Sequence, residues 1–265
     1  MVSASQDMHD LIRMLRESLL PETQHPPRLV RLPDDCPVVF VGDIHGDRNA
    51  VETVFSRFPS SDHCIVFLGD IVDRGPDSLG AITLIAEGKV RNPARVHLLM
   101  GNHEARSVSP FSPADFWESL PQDQSERLAH HLEKLPLAAW HPAGVLATHG
   151  GLPDCPSLEA IDAIELGSEP WRAMTWGDWV DEDRKSITVG SRPAFGPTAF
   201  ETRSSQLGIK VHIRSHQPSA PTYLFADRCL TLFTSIAYGD GVRRIARLMP
   251  GQRIDSARDL ELIEL

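Results

Sequence analysis

The stretch VVFVGDIHG at residues 38–46 joins an unbroken apolar run to a glycine, an aspartate and a histidine. The same design returns four times along the chain, in IVFLGDIVDRG at 65–75, VHLLMGNHE at 96–104, VLATHGG at 145–151 and VHIRSH at 211–216. In the first three places at most one histidine interrupts the apolar run, which is typical of a strand buried on both faces. This repeated pattern, an apolar run followed by polar residues, therefore predicts a sheet whose strands end in polar side chains.

Helical patterns separate these strands. The clearest cover Arg48–Phe58 and Ser78–Gly88, and we expect the second helix to end at Gly88 as a cap. Alternating strands and helices predict an α/β domain, in which ligands lie beyond the carboxyl ends of the strands. We expect the glycines at these ends to let the backbone turn sharply and direct the next side chain into a shared crevice; they are Gly42, Gly69, Gly101 and Gly150.

Residues 5–20 carry apolar side chains at helical spacing, which predicts a helix ahead of the α/β domain. We expect this helix to dock on the core, and a helix for a membrane or a partner protein is the alternative. A proline-rich stretch from Pro21 to Pro37 follows and predicts an extended connector. The expected organisation is a helix and connector at 1–36 and one domain at 37–265.

The composition is that of a globular protein, because 41% of the 265 residues are hydrophobic and 23% are charged. The formal charge is −10, from 26 Lys and Arg against 36 Asp and Glu, and no basic stripe is visible, so we expect no nucleic-acid partner. No apolar run approaches ~20 residues and no signal peptide is visible, so we expect no membrane partner. The four cysteines form no CxxC pair, which argues against a thiolate zinc site and predicts free thiols in the cytoplasm.

Six side chains at the strand ends are candidate metal ligands: Asp43, His45, Asp70, Asn102, His149 and His216. All are oxygen or imidazole donors, which suit Mn, Fe or Zn. Six are too many for one catalytic metal that keeps an open position, but they suffice for two ions ~3.5–4 Å apart that share a carboxylate. Each motif alone could be an ordinary turn, and His149 alone could be a core histidine. The five motifs together favour a centre with two metal ions.

Two such ions would lower the pKa of a bridging water toward 7, and the resulting hydroxide could attack a phosphorus atom in line. The reaction then needs positive donors for the phosphoryl oxygens and a proton for the departing oxygen. Arg74, four residues after Asp70, is placed for the first task, and His103, beside Asn102, for the second. Asp73 could orient the imidazole of His103. The alternative is that Asp73 and Arg74 form a surface ion pair.

In order along the chain, five motifs resemble the signatures of the serine/threonine phosphoprotein phosphatase family, which belongs to the calcineurin-like metallophosphoesterases. This family includes protein phosphatase 1, protein phosphatase 2A and calcineurin. The motifs are GDIHG at 42–46, GDIVDRG at 69–75, GNHE at 101–104, HGG at 149–151 and RSHQ at 214–217. The resemblance covers roughly residues 37–250 of the chain.

The resemblance implies a central β-sandwich of two sheets flanked by helices, and it makes residues 37–265 a metallophosphoesterase catalytic domain. It implies two divalent metal ions, typically Mn, Fe or Zn. The ligands that it implies are Asp43, His45 and Asp70 for the first ion, and Asp70, Asn102, His149 and His216 for the second. It further implies that His103 and Asp73 form the proton-donor pair and that Arg74 binds the phosphate.

Two further positions that the resemblance assigns to phosphate binding, Arg192 and Tyr238, resemble the family less closely. Arg192 lies in SRPAFG, which resembles a segment with a second phosphate-binding arginine but is several residues shorter. Tyr238 ends FTSIAY, which resembles a loop with a tyrosine near the site, although Ala237 replaces the expected asparagine. Asp47 stands where many members have Gln or Cys.

The resemblance implies a metal-dependent phosphatase acting on a phosphoprotein or phosphopeptide, at phosphoserine or phosphothreonine and also at phosphotyrosine. It does not identify a regulatory partner. The alternative is a symmetrical dinucleoside tetraphosphatase, which hydrolyses diadenosine tetraphosphate with the same chemistry, because the first three motifs are shared and GPDSL at 75–79 is similar. A catalytically inactive scaffold that binds phosphoproteins would need a broken ligand set, whereas all six ligands and His103 are present.

Overall fold

The computed structural model describes residues 4–18, 27–183, 187–189, 192–239 and 242–265. The α-helices in these ranges are α1 (Ala4–Ser18), α2 (Arg48–Arg57), α3 (Ser78–Arg91), α4 (Asp115–Ser119), α5 (Gln122–Leu132), α6 (Glu169–Trp176) and α7 (Pro197–Gln206). The strands are β1 (Leu29–Arg31), β2 (Val38–Val41), β3 (Cys64–Phe67), β4 (Val96–Leu98), β5 (Ala138–His141), β6 (Val145–Thr148), β7 (Asp178–Trp179), β8 (Ile187–Val189), β9 (Arg192–Phe195), β10 (Val211–Arg214), β11 (Tyr223–Leu224), β12 (Cys229–Thr231), β13 (Arg244–Leu248) and β14 (Glu261–Glu264). Among the described helices, none combines the length and the apolar character that crossing a membrane requires.

Two sheets form the centre of the fold. One has the strand order β1-β5-β6-β10-β12-β11 and the other the order β14-β13-β2-β3-β4, and a smaller sheet has the order β7-β9-β8. Strands β2, β3 and β4 are parallel to one another, and β10 is parallel to both β6 and β12. The carboxyl ends of the strands that carry the predicted ligands therefore share one edge in each sheet.

The two large sheets pack face to face, and helices cover their outer faces. On β2, Val38 and Phe40 belong to the buried cluster that also contains Ile213 of β10 in the other sheet. Val39 and Val41 belong instead to the cluster that contains residues of α2 and α3. Successive residues of a strand face opposite sides of a sheet, so both faces of β2 are buried. The sandwich of two sheets flanked by helices is confirmed.

Helix α3 does not end at Gly88, so that prediction was wrong. The helix continues to Arg91 and is capped at Asn92. A Cβ atom at position 88 would lie 2.6 Å from Cζ of Phe55 on α2. Glycine is present here because the two helices approach closely, and it does not end the helix.

The N-terminal helix α1 packs against α3 and α5, and its Met8, Leu11 and Leu15 are buried. Residues 21–26 of the predicted connector lie outside the described residues. Leu29–Arg31, which we expected to be part of that connector, is strand β1 and pairs in parallel with β5. Arg28 anchors this strand, because its guanidinium donates to the carbonyl oxygens of Glu133 and Leu135.

Candidate metal centre and phosphate-binding site

Asp43 follows the end of β2 and lies at the seam between the two large sheets. Its backbone N–H donates to Ser215 Oγ at 2.9 Å, and Ser215 donates to the carbonyl oxygen of Leu232 at 2.6 Å. These two bonds join the end of β2 to the ends of β10 and β12. The carboxylate of Asp43 lies 3.6 Å from His45 Nε2 and 3.6 Å from His149 Nδ1.

The carboxylate of Asp70 lies at the centre of the cluster. Its Oδ2 is 3.3 Å from His149 Nε2, 3.7 Å from His45 Nε2 and 3.9 Å from His103 Nε2. Its Oδ1 accepts the backbone N–H of His103 at 2.9 Å. Three imidazole nitrogens thus surround one carboxylate oxygen, which is the position that a bridging ligand requires.

Backbone carbonyls fix the orientation of two imidazoles. His45 Nδ1 lies 3.0 Å from the carbonyl oxygen of Val72, and His149 Nδ1 lies 3.0 Å from that of Leu68. A carbonyl oxygen only accepts hydrogen bonds, so both Nδ1 atoms donate. The Nε2 atoms therefore face the crevice, where a metal ion would need a lone pair.

Asn102 and His216 complete the crevice on the side of His149. His149 Nε2 lies 3.1 Å from Asn102 Oδ1 and 3.1 Å from His216 Nδ1. The other ring nitrogen of His216, Nε2, lies 3.6 Å from Asp178 Oδ1. Asp178 is 3% exposed, and sequence reasoning gave it no role, because only the fold brings β7 beside the end of β10.

Within the described residues, two groups of side chains have the geometry to hold a metal ion, and both contain Asp70. One adds His45 and His103, and the other adds His149 and His216. The converging donors have lone pairs that repel one another unless protons or cations lie between them. The residues present therefore fit divalent metal ions, and the oxygen and nitrogen donor set suits Mn, Fe or Zn.

The pKa values of these groups reflect the same crowding. Burial lowers the pKa of His45, but the hydrogen bond to Asp43 and the charges of Asp70 and Asp43 raise it to about 9. Burial likewise lowers the pKa of His149, and Asp70 raises it to about 8. Burial raises the pKa of Asp70, whereas the charges of the histidines around it hold that pKa well below its usual range.

His103 and Asp73 form a pair on the other side of Asp70. His103 Nδ1 lies 2.6 Å from Asp73 Oδ2, and both side chains are buried. The second oxygen of Asp73 accepts the backbone N–H of Phe116 at 2.8 Å. The indole of Trp117 donates to the carbonyl oxygen of His103 at 2.9 Å, so His103 is held from its backbone as well as from its ring.

Arg74 and Tyr238 stand beside the crevice on the side of His45. The ring of Tyr238 lies 5.4 Å from that of His45, centroid to centroid. Burial raises the pKa of the Tyr238 hydroxyl, and Arg74, which hydrogen-bonds it, opposes that rise. The alternative interpretation, a surface ion pair between Asp73 and Arg74, was wrong. Asp73 is fully buried, and its carboxylate binds His103.

Arg192 approaches from the side of His216. Its Nη1 lies 3.9 Å from Asp178 Oδ1, and its guanidinium stands 5.9 Å from the centroid of the Trp176 ring. Asp178 therefore lies between this arginine and His216. The fold thus brings all six predicted ligands together, with His103, Asp73, Arg74, Arg192 and Tyr238 around them.

Glu104 holds the loops that carry Asp70 and Asn102, a role that sequence reasoning missed. It is fully buried, and its Oε2 accepts the N–H groups of Asp70 at 2.7 Å and Gly101 at 2.9 Å. Its Oε1 accepts the N–H of Ile71 at 2.8 Å. The only signal in the sequence was its place in GNHE.

The backbone at the centre is strained. Among the described residues other than glycine, positive φ angles occur at several predicted site residues: His45, Asp70, Asp73, Arg74 and His216. Such strain clusters at functional sites. Of the four glycines that we expected to allow sharp turns, only Gly69 has a positive φ, at 101°. Gly42 is needed for close approach, because a Cβ there would lie 2.6 Å from the carbonyl oxygen of Leu232.

Known proteins share sequence features with this chain. The sequence profile of the calcineurin-like phosphoesterases matches residues 36–220. A curated relative, the serine/threonine-protein phosphatase PP2A-like PPG1 of Candida albicans, is 29% identical over 245 residues, which cover 86% of this chain. The chain spans 58% of the length of that relative.

Solved structures share the fold. A serine/threonine phosphatase of Saccharomyces cerevisiae, described as similar to human phosphatase PP5, matches with a TM-score of 0.80 at 23% identity, over 99% of this chain and 90% of that one. A cold-active protein-tyrosine phosphatase of a psychrophilic Shewanella species matches with a TM-score of 0.59 at 18% identity, over 93% of this chain and 86% of that one. The profile match confirms the family resemblance that the motifs predicted, and the solved structures confirm the fold.

Proposed function

Since the chain belongs to the calcineurin-like phosphoesterase family, we propose that it is a metal-dependent protein phosphatase that hydrolyses phosphoserine and phosphothreonine monoesters. Family membership supports phosphoester hydrolysis, and the finer assignment follows the curated relative, which is named a serine/threonine-protein phosphatase. One observation carries the proposal. A buried carboxylate, Asp70, is surrounded by imidazoles, while the pair His103–Asp73 and the arginines stand around it.

Divalent ions held by Asp43, His45, Asp70, Asn102, His149 and His216 would polarise the phosphoester and supply hydroxide at neutral pH. We assign two such ions, of Mn, Fe or Zn, because the two ligand groups share Asp70. The donors present are those that these metals prefer.

The side chains around the ligands have distinct tasks. Arg74 and Arg192 flank the crevice from opposite sides and would bind the phosphoryl oxygens, and Tyr238 beside Arg74 would orient its guanidinium. The Nδ1–H group of His103 donates a hydrogen bond to Asp73, so the Nε2 atom faces the crevice. From there it can deliver a proton to the departing serine or threonine oxygen. Proton delivery at this atom prevents the expulsion of an alkoxide.

A matched panel of substrates tests the proposal. The protein loaded with Mn²⁺ is assayed with phosphoserine, phosphothreonine and phosphotyrosine peptides, with diadenosine tetraphosphate and with p-nitrophenyl phosphate, and metal content is measured on the same sample. We expect kcat/KM to be highest for phosphoserine and phosphothreonine peptides. Much faster cleavage of diadenosine tetraphosphate would assign the dinucleoside tetraphosphatase function instead. Intact phosphopeptides in a fully loaded sample would overturn the proposal.

A further inference from the structure

A pocket of about 180 Å³ adjoins the metal centre on the side of Tyr238. Its wall toward the centre contains Phe233 and Tyr238. The same two rings lie 6.4 and 5.4 Å from the ring of His45, centroid to centroid. Phe233 and Tyr238 therefore stand between the pocket and the metal centre, and an extended substrate chain advances ~3.3–3.6 Å per residue.

The wall is held in place by Asp47. The Oδ2 atom of this buried carboxylate accepts the backbone N–H of Ile236 at 3.3 Å and Nη1 of Arg243 at 3.4 Å. These two donors lie on either side of Tyr238 in the chain, so one carboxylate oxygen fixes the chain before and after the ring. A pocket whose wall is fixed before binding loses less entropy when a ligand enters it.

One charged side chain in the pocket suits a carboxylate. Arg244 is the only charged residue among the described residues that line the pocket. Its Nη2 lies 3.8 Å from Glu264 Oε1, at the far end of ion-pair distances, and the side chain is 38% exposed. Thr231 also lines the pocket, but its hydroxyl is buried. The guanidinium of Arg244 can bind one carboxylate through two parallel N–H donors.

From this arrangement we infer that the pocket is a substrate subsite for an Asp or Glu side chain close to the phosphorylated residue. The inference rests on the proposed protein phosphatase function, because it concerns a neighbouring residue of the substrate polypeptide. Such a subsite would give the enzyme a preference for an acidic residue near the phosphorylated residue, which the metal centre alone does not supply. Arg244 is 38% exposed, so its pairing with the bound carboxylate would be that of a partly exposed ion pair.

The test uses phosphothreonine peptides in which each of the two residues before and after the phosphothreonine is replaced in turn by Glu or by Lys. For the wild type with Mn²⁺, we expect kcat/KM at one of these positions to be about fivefold higher with Glu than with Lys, the scale of a partly exposed ion pair. Arg244→Gln should abolish this ratio. Thr231→Val, which keeps the shape of the side chain and replaces only a buried hydroxyl, should leave it unchanged.

Arg247→Gln is the matched control. Arg247 lies on β13 as Arg244 does and pairs with Glu261 of β14, but it is not part of the pocket lining. All three variants should keep the wild-type rate on p-nitrophenyl phosphate and the wild-type thermal midpoint. A ratio near one at every position, a ratio unchanged in Arg244→Gln, or an equal loss in Arg247→Gln would overturn the subsite. If p-nitrophenyl phosphate is hydrolysed and no phosphopeptide is, the proposed function itself fails, and the subsite fails with it.

Discussion

His103 and Asp73 are joined by a hydrogen bond of 2.6 Å between Nδ1 and Oδ2. An ionised carboxylate only accepts hydrogen bonds, so Nδ1 carries the hydrogen. The other ring nitrogen, Nε2, faces the crevice at 3.9 Å from Asp70 Oδ2. Asp73 thereby selects the ring orientation in which His103 can act on a substrate.

The first prediction concerns proton delivery by His103. His103→Asn should lower kcat on phosphothreonine peptides by roughly 10²–10⁴ while the metal ions stay bound, because general acid catalysis is lost. The measurement is kcat together with metal content by mass spectrometry.

The leaving group provides the control for this variant. The nitrophenolate ion departs without a proton, so the loss on p-nitrophenyl phosphate should be much smaller than on a phosphothreonine peptide. Equal losses on both substrates, or loss of the metal ions, would show that His103 serves the metal centre and does not donate the proton.

The second prediction concerns the shared carboxylate. Asp70→Asn should cost the binding of both metal ions, because a neutral amide lacks the negative charge of the carboxylate that the two ligand groups share. Asp43→Asn is the control and should cost at most one ion, since Asp43 belongs to one predicted ligand set. Two ions retained by Asp70→Asn in equilibrium dialysis would contradict the bridging role.

The convergence of the candidate metal ligands could be predicted from the sequence because each lies within a few residues of a strand end. Asp43 and Asp70 follow parallel strands of one sheet, and parallel strands place their carboxyl ends at one edge. His149 and His216 also follow strand ends, so the five motifs together favoured one centre. The sequence pattern could not show that their strands belong to a second sheet, because that depends on how the two sheets pack.

Roles that depend on distant partners were not predictable. Asp178 faces His216 across 38 positions of chain, and Glu104 binds backbone N–H groups 33 and 34 positions away. Gly88 shows the same limit in the fold. A glycine near the end of a helical pattern favours a helix cap. Here, however, the ring of Phe55 from another helix leaves no room for a side chain at position 88.

The third prediction concerns pH and metal binding. His45 and His149 have pKa values of about 9 and about 8 in the metal-free protein, so both rings are protonated at pH 7. A metal ion needs neutral imidazoles, so binding must displace these protons. Affinity for Mn²⁺ should therefore rise as pH increases from 7 to about 9 and level off above it. Calorimetry in buffers of different protonation enthalpy counts the protons. An equal count at pH 7 and above pH 9 would contradict the prediction.

The fourth prediction concerns the buried acceptor Glu104. Glu104→Gln should lower the free energy of unfolding by about 1–3 kcal/mol, because the amide NH₂ cannot accept the backbone N–H groups that the carboxylate now binds. Urea unfolding of the metal-free protein measures this change. Glu126→Gln on the exposed side of α5 is the control and should change stability by less than about 0.5 kcal/mol. Equal stability of the two variants would show that the three hydrogen bonds of Glu104 are dispensable.

The fifth prediction concerns Asp47, which holds the chain on both sides of Tyr238 through Ile236 and Arg243. Asp47→Asn has one acceptor oxygen for the two backbone N–H groups, of Ala50 and Ile236, that the two carboxylate oxygens now accept, and it removes the charge that Arg243 pairs with. We expect KM for phosphothreonine peptides to rise about fivefold with kcat nearly unchanged, because the wall beside the crevice loosens while the metal ligands stay in place. Arg243→Gln should have a smaller effect in the same direction, and the double variant should be no worse than Asp47→Asn alone, since the ion pair that Arg243→Gln removes is already lost in Asp47→Asn. Effects that multiply in the double variant would show that the two residues act independently.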